Sequence, residues 1–213
     1  MIKEGSLPAT AAQGSKAKLL DAALLVIRSK GYTATTVDDV CAAAGLTKGS
    51  FFHHFKSKED LALAAASHFA AMADAIFDSA PYQSLPDPRD RVFGYVAFRK
   101  AMLDRSLPEF TCLLGTMVQE TYETHPAIRK ACEKHIGDHA AMLETDIAAA
   151  KRLYAPKAKW SAVSLALFMQ SVLQGAFVLA KAAHGPAVAV ECLEHLQRYL
   201  ETQLPLAKAA KVV

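Results

Sequence analysis

Residues 36–61 read TVDDVCAAAGLTKGSFFHHFKSKEDL, and their punctuation leaves the backbone few choices. Thr36 stands before two aspartates, the pattern of an N-cap followed by acidic residues in a first helical turn. Gly45 ends that helix after about two turns, because the residue that turns left-handed at a helix C-terminus is usually glycine. Thr47 opens the next segment, KGSFFHHF, and Ser57 caps the one after, with Glu59 and Asp60 in its first turn. Short helices joined by a glycine turn are the pattern of a helix-turn-helix.

The residue types in its second helix suit contact with a nucleic acid. In this motif the second helix enters the major groove N-terminus first, while the first crosses the backbone. Lys48 reaches a guanine edge or a phosphate, Ser50 a base or a phosphate, and Gly49 permits close approach of the backbone. Phe51 and Phe55 are spaced i, i+4 and anchor one edge to the local core, which turns Phe52, His53 and His54 towards solvent or DNA. Lys58 begins a helix, where free amides favour an anion, so phosphate contact is its expected role. Upstream, Ser15 is expected to cap a helix with the stripe Leu19, Ala22, Ala23, Val26 and Ile27, ended by Gly31. Lys16 and Lys18 in its first turn oppose the helix dipole; they are either ordinary solvated lysines or sit near a polyanion.

From Ser15 to Leu61 the chain resembles the N-terminal domain of the TetR family of transcriptional regulators, through RSKGYTATT and TTVDDVCAAAGLTKGSFFHHFKSKEDL. The resemblance covers about a quarter of the chain. It implies that the positions of Thr36, Thr47, Lys48, Gly49, Ser50, Phe52, His53, His54 and Lys58 carry DNA contacts. At the position of Phe52 the family usually has tyrosine, whose hydroxyl meets a phosphate, and this chain lacks that hydroxyl. The family layout further implies a small-molecule cavity among the middle helices and a homodimer through the last two, with a double-stranded operator as DNA partner.

The remaining sequence agrees with an all-α chain of about nine helices, the first three forming a head and the rest a body. Ala-rich periodic segments with only ten Gly favour packed helices over sheets. The expected division is a disordered arm over 1–14, the helix-turn-helix domain over 15–57, a ligand-binding and dimerisation domain over 58–205 and a tail over 206–213. Prolines 81, 108, 126, 156 and 186 mark the breaks in the body, and Phe110 to Glu123 reads as one helix. Ser161–Ala180 is an uncharged run of twenty residues, long enough to span a membrane. Ser164, Gln170, Ser171 and Gln174 interrupt it at helical spacing, and a buried interface helix without a membrane is the better reading. PAVAVECLEHLQRYLETQL beside it is amphipathic, which supports pairing of the last two helices between copies.

For the cavity wall, Phe98, Met102, Cys112, Thr116, Met117, Met142 and Phe168 are the candidates, as soft or polarizable side chains at helical spacing. Glu120 either anchors a ligand or faces water. Cys112 opens a helix, where the dipole lowers a thiol pKa, so redox sensing and an inert thiol both stand as readings. Cys132, His135 and His139 share a helix face at a metal-ligand spacing, but no fourth ligand is evident, and no metal or other cofactor is expected. The net charge of +3 makes any DNA contact a local patch. Four scattered cysteines and no signal-peptide pattern point to a reducing cytoplasm. No nucleophile, base and orienting acid occur at a recognisable spacing, so the chain is not expected to be an enzyme.

Overall fold

The computed structural model describes residues 14–206. The arm expected over 1–14, apart from Gly14, and the tail beyond 206 lie outside these residues. Among the described residues there are ten α-helices, two short 3-10 turns and no strand.

The first four helices follow the sequence punctuation. Helix α1 spans Ser15–Lys30, α2 Val37–Ala44, α3 Lys48–His54 and α4 Lys58–Asp78. Thr36 and Asp39 form a reciprocal capping box on α2, and Gly45 ends it at φ 65°. Thr47 accepts from the Ser50 amide and Ser57 from the Asp60 amide, so each helix start has one orphan N–H satisfied. Ser15 does otherwise than expected. Gly14 takes the cap position without a side chain, and the Ser15 hydroxyl lies 2.6 Å from His54 Nε2.

In the body, α5 spans Pro88–Ala101, α6 Leu107–Phe110, α7 Leu113–Thr121, α8 Pro126–Tyr154, α9 Ala162–Ala182 and α10 Ala187–Gln203. The single helix expected over 110–123 is broken at Thr111, which is extended (φ −82°, ψ 155°). The break survives because its carbonyls find a partner: Arg28 Nη1 of α1 donates to Glu109 O at 3.0 Å and to Thr111 O at 3.4 Å. Cys112 then caps α7, its Sγ accepting from the Gly115 amide at 3.4 Å.

Two apolar clusters form the core. The first joins Leu19, Ala23, Ile27, Val40, Phe51 and Phe55 of the head to Leu113 and Met117 of α7 and to Ile128 and Cys132 of α8. The second lies among α5, α8, α9 and α10, with Tyr95, Ile147, Met169, Leu173, Leu193 and Leu200. Helix α4 takes part in both, through Leu61, Ala62, Ala65 and Ala66 near its start and Phe77 at its end. By length and composition α4 and α9 could each cross a membrane. In the fold both are built into the bundle, and α9 packs along α8 and α10.

Candidate functional site

The outer surface of the head carries the N-terminal residues of α3. Thr36, Thr47, Lys48, Gly49, Phe52 and His53 are exposed, while Ser50 and His54 are half-buried. Phe51 is wholly buried and Phe55 nearly so, which turns the opposite face of the short helix outward. A Cβ added at Gly49 would meet nothing nearer than Thr47 Oγ1 at 3.6 Å. No contact inside the head therefore calls for glycine there. Phe52 is 58% exposed, with its ring edge-on to Phe51 at 5.1 Å between centroids.

Charges around this face are arranged loosely. Lys48 Nζ lies 2.9 Å from Asp38 Oδ1, both side chains largely in water, and the hydrogen bond to that carboxylate raises the Lys48 pKa. An exposed ion pair of this kind is weak and screened by salt, so Lys48 remains available to a stronger anion. Lys16 and Lys18 are exposed, with the Lys16 ammonium 5.8 Å from the Phe55 ring centroid. His54 is less free than its neighbour, because of its bond to Ser15.

Lys58, the expected phosphate contact, also has partners within the head. Its ammonium donates to the carbonyls of Tyr32, Thr33 and Thr35 at 3.1, 3.3 and 3.0 Å, and lies 4.4 Å from the Tyr32 ring centroid. All three of its donors are thus directed at the loop between α1 and α2. The same loop is held from its other side by the body. Glu120 of α7, though exposed, accepts from the Thr33 amide at 2.7 Å. Its carboxylate lies so close over Gly31 that a Cβ there would come within 2.2 Å of Glu120 Oε1. The backbone at Gly31 (φ 88°, ψ 161°) is one that L side chains rarely adopt.

Beneath the head, a cavity of about 270 Å³ opens between α1, α4, the α5–α7 segment, α8 and α9. Of the seven side chains expected in its wall, Met102 and Cys112 line it. The other five are displaced for identifiable reasons. Phe98 packs edge-on to Phe77 at 5.7 Å and stands behind the wall. Met117 is wholly buried in the cluster under the head. Thr116 accepts from Lys181 Nζ at 2.8 Å beside a smaller adjoining pocket, and Met142 borders a separate hollow near Arg91 and Asp146. Phe168 is on the outer face of α9, its ring 4.9 Å from that of Tyr199 on α10.

The wall instead includes Arg28, Phe69, Phe77, Arg99, Phe177 and His139. Helical periodicity marks all of these as inward or half-inward but cannot say which inward positions face a void. His139 Nε2 is 3.0 Å from Tyr95 OH, which in turn accepts from Gln170 Nε2 at 3.2 Å. Burial, with the charge of Arg99 adding to it, pushes the His139 pKa down to about 3. Its imidazole is therefore neutral near pH 7. Cys132 faces the cluster under the head, where burial pushes its thiol up to about 12. Among the described residues no group of three or more His, Cys, Asp and Glu is placed to hold a metal ion.

Residues 19–65 match the family model described as bacterial regulatory proteins, tetR family, and residues 88–195 match that of the LmrA/YxaF-like transcriptional regulator C-terminal domain. Over 48 residues the chain is 46% identical to the transcriptional repressor KstR2 of Rhodococcus jostii, covering 22% of this chain and 24% of that protein. A longer match, 29% identical over 102 residues, is to the transcriptional regulator AcuR of Cereibacter sphaeroides, covering 48% of this chain and 47% of that one. The matched region thus spans less than half the length of these two curated relatives. A crystal structure of a TetR transcriptional regulator from Chloroflexus aurantiacus superposes with a TM-score of 0.79 at 24% identity, over 91% of this chain and 97% of that one. At that identity the likeness is one of fold.

Proposed function

Because the chain belongs to the TetR family, and is a DNA-binding transcriptional regulator rather than an enzyme, we propose that it is a cytoplasmic repressor. In this reading it binds a palindromic operator as a homodimer and is released by a small-molecule effector. The observation that carries the DNA side is the outward row of α3 around Gly49, where a glycine that nothing in the head requires leaves room for another molecule. Residues 15–57 would be the reading head, with Lys48, Gly49 and Ser50 at base edges or phosphates and Thr36, Thr47, Phe52 and His53 along the backbone. His54 would orient α1 through Ser15, and Lys58 would shape the loop beside the reading helix. One short helix reads few base pairs, so a two-fold dimer on a palindrome is the natural use of such a head.

Residues 58–205 would hold the effector and the dimer contact, the latter through α9 and α10. The outer face of α9 offers Val163, Leu167, Phe168, Val178 and Leu179 to solvent, an apolar stripe of the kind that pairs with its own copy. The cavity above is the candidate effector site, with Met102 and Cys112 in its wall. Helix α4 starts directly after the reading helix and lines the cavity at Phe69, Met72 and Phe77, so it is the candidate lever. Release requires that the effector bind the two head arrangements with different affinity, since equal affinity shifts nothing.

A mobility-shift assay on DNA from the chain's own upstream region tests the reading. The expected result is a dimer on a palindromic site, with a binding constant that falls steeply with salt. Lys48→Ala should flatten that dependence by about one unit of slope and relax base preference as well. Equal affinity for operator and random DNA in the unaltered protein would sink the proposal.

A further inference from the structure

Among the described residues, Arg99 is a half-buried cation of the cavity wall with no hydrogen-bond acceptor of its own. Arg99 projects from α5 between Phe77 and Phe177, its guanidinium carbon 5.1 and 5.4 Å from their ring centroids. Among the described residues no carboxylate, carbonyl or hydroxyl accepts from any of its nitrogens. Every other charge on the cavity wall has a local occupation or lies in water. Arg28 Nε donates to the carbonyl of Leu24 and Nη1 to those of Glu109 and Thr111. Glu109 closes a capping box with Ser106, Asp138 pairs with Lys134 at 2.6 Å, and Arg105 and Asp74 are exposed.

His139, also on the cavity wall, offers a second polar group through the ring nitrogen that does not face Tyr95. Tyr95 OH accepts from Gln170 Nε2, and since His139 Nε2 is the other polar atom within its reach among the described residues, that nitrogen is the acceptor available to its proton. A neutral imidazole that accepts at Nε2 carries its hydrogen on Nδ1. That N–H has no partner among the described residues.

We propose that this cavity binds a small apolar monocarboxylate, an aryl or short acyl acid, with its carboxylate in the fork of Arg99 and its hydrocarbon body against Leu24, Phe69, Met72 and Ile136 of the wall. The planar guanidinium matches a carboxylate with two parallel hydrogen bonds. A single negative charge suits the wall, because Arg28 is already engaged by backbone carbonyls and Asp74, Glu109 and Asp138 also border the cavity and would repel a second one. A volume of about 270 Å³ sits at the lower edge of ordinary ligand pockets and sets the size as small.

This assignment deepens the effector reading above and rests on it only for its consequence at DNA. The test is therefore calorimetry on the full-length protein without DNA, using phenylacetate, cinnamate, hexanoate and octanoate, the amide of each, and phenyl phosphate. We expect at least one carboxylate to bind with a dissociation constant below about 1 mM, and its amide to bind about tenfold more weakly or worse. Arg99→Met should bring acid and amide level, and Arg99→Lys should restore part of the difference. Failure of all four acids, equal affinity of acid and amide, a preference that survives Arg99→Met, or phenyl phosphate as the tightest binder would each overturn the proposal. The acid–amide comparison on the unaltered protein decides even if an Arg99 variant does not fold. Operator release is measured separately: an acid that binds without releasing DNA leaves this assignment standing and removes the effector reading. A neutral or cationic compound that releases DNA while no acid binds does the reverse.

Discussion

Phe52 brings an aromatic ring without a hydroxyl to the face proposed to meet DNA, and its exposure makes the consequence easy to isolate. In Phe52→Tyr the ring needs no repacking and gains a donor. Operator affinity is expected to rise by about three- to tenfold, the worth of one hydrogen bond, with an unchanged melting temperature; fluorescence anisotropy and a thermal melt check both. Lys58 is the contrasting case. Its ammonium serves three carbonyls of the α1–α2 loop, so Lys58→Met should destabilise the protein by about 2 kcal/mol, as for hydrogen bonds to a charged group. It should weaken operator binding without changing the salt slope, whereas a slope lowered by one would return Lys58 to the phosphate backbone. His139 makes a prediction in pH. The unfolded chain takes up a proton near pH 6.5 that the folded chain refuses until about 3, so its contribution is whole above pH 6.5 and is lost as the pH falls towards 3. The slope reaches at most about 1.4 kcal/mol per pH unit, and His139→Gln, which keeps an acceptor for Tyr95, should flatten it in urea melts.

Among the elements, α7 stands between the proposed effector site and the head. Its N-cap, Cys112, lines the cavity, its Met117 completes the head core, and its Glu120 holds the α1–α2 loop by the Thr33 amide. Gly31→Ala should cost about 1–3 kcal/mol in backbone strain, with a further penalty from the approach to Glu120. In a Glu120→Ala background that further penalty should vanish and the strain should remain, which a double-mutant cycle in urea resolves. Additivity of the two substitutions would mean that the carboxylate gives way freely and that the loop is not held there. Helix α4 shows the same joining in another form, with its first turns in one core and Phe77 in the other. A displacement at one end of a packed helix is transmitted because both ends are close-packed.

For the whole molecule, the outward stripe of α9 is the surface whose fate one chain leaves open. Leu167, at 51% exposure, has no large role inside the subunit. Leu167→Glu is therefore expected to keep the fold and the melting cooperativity of the subunit while shifting sedimentation from dimer to monomer. Operator affinity should fall at least about tenfold, because the two half-sites are then engaged separately. A variant that remains dimeric would move the interface away from this face.

The local grammar of the chain was legible residue by residue. Thr36, Gly45, Thr47 and Ser57 are caps and stops whose effect depends on neighbours within four positions, so the helix-turn-helix, its outward face at Lys48, Gly49 and His53, and the all-helical class followed from the sequence. What periodicity cannot supply is the partner across space. Ser15 reads as a cap until His54, distant in the chain, takes its hydroxyl, and Lys58 reads as a free cation until the loop carbonyls surround it. The helix expected over 110–123 breaks at Thr111, where Arg28 of α1, distant in the chain, donates to the carbonyls of Glu109 and Thr111. The same holds for the cavity. Phe98, Met117 and Phe177 carry the same apolar signal, and only the packing of α4, α5, α8 and α9 decides which of them borders empty space. A sequence reports which faces leave water, a local matter of spacing; what those faces meet depends on contacts that only the tertiary structure closes.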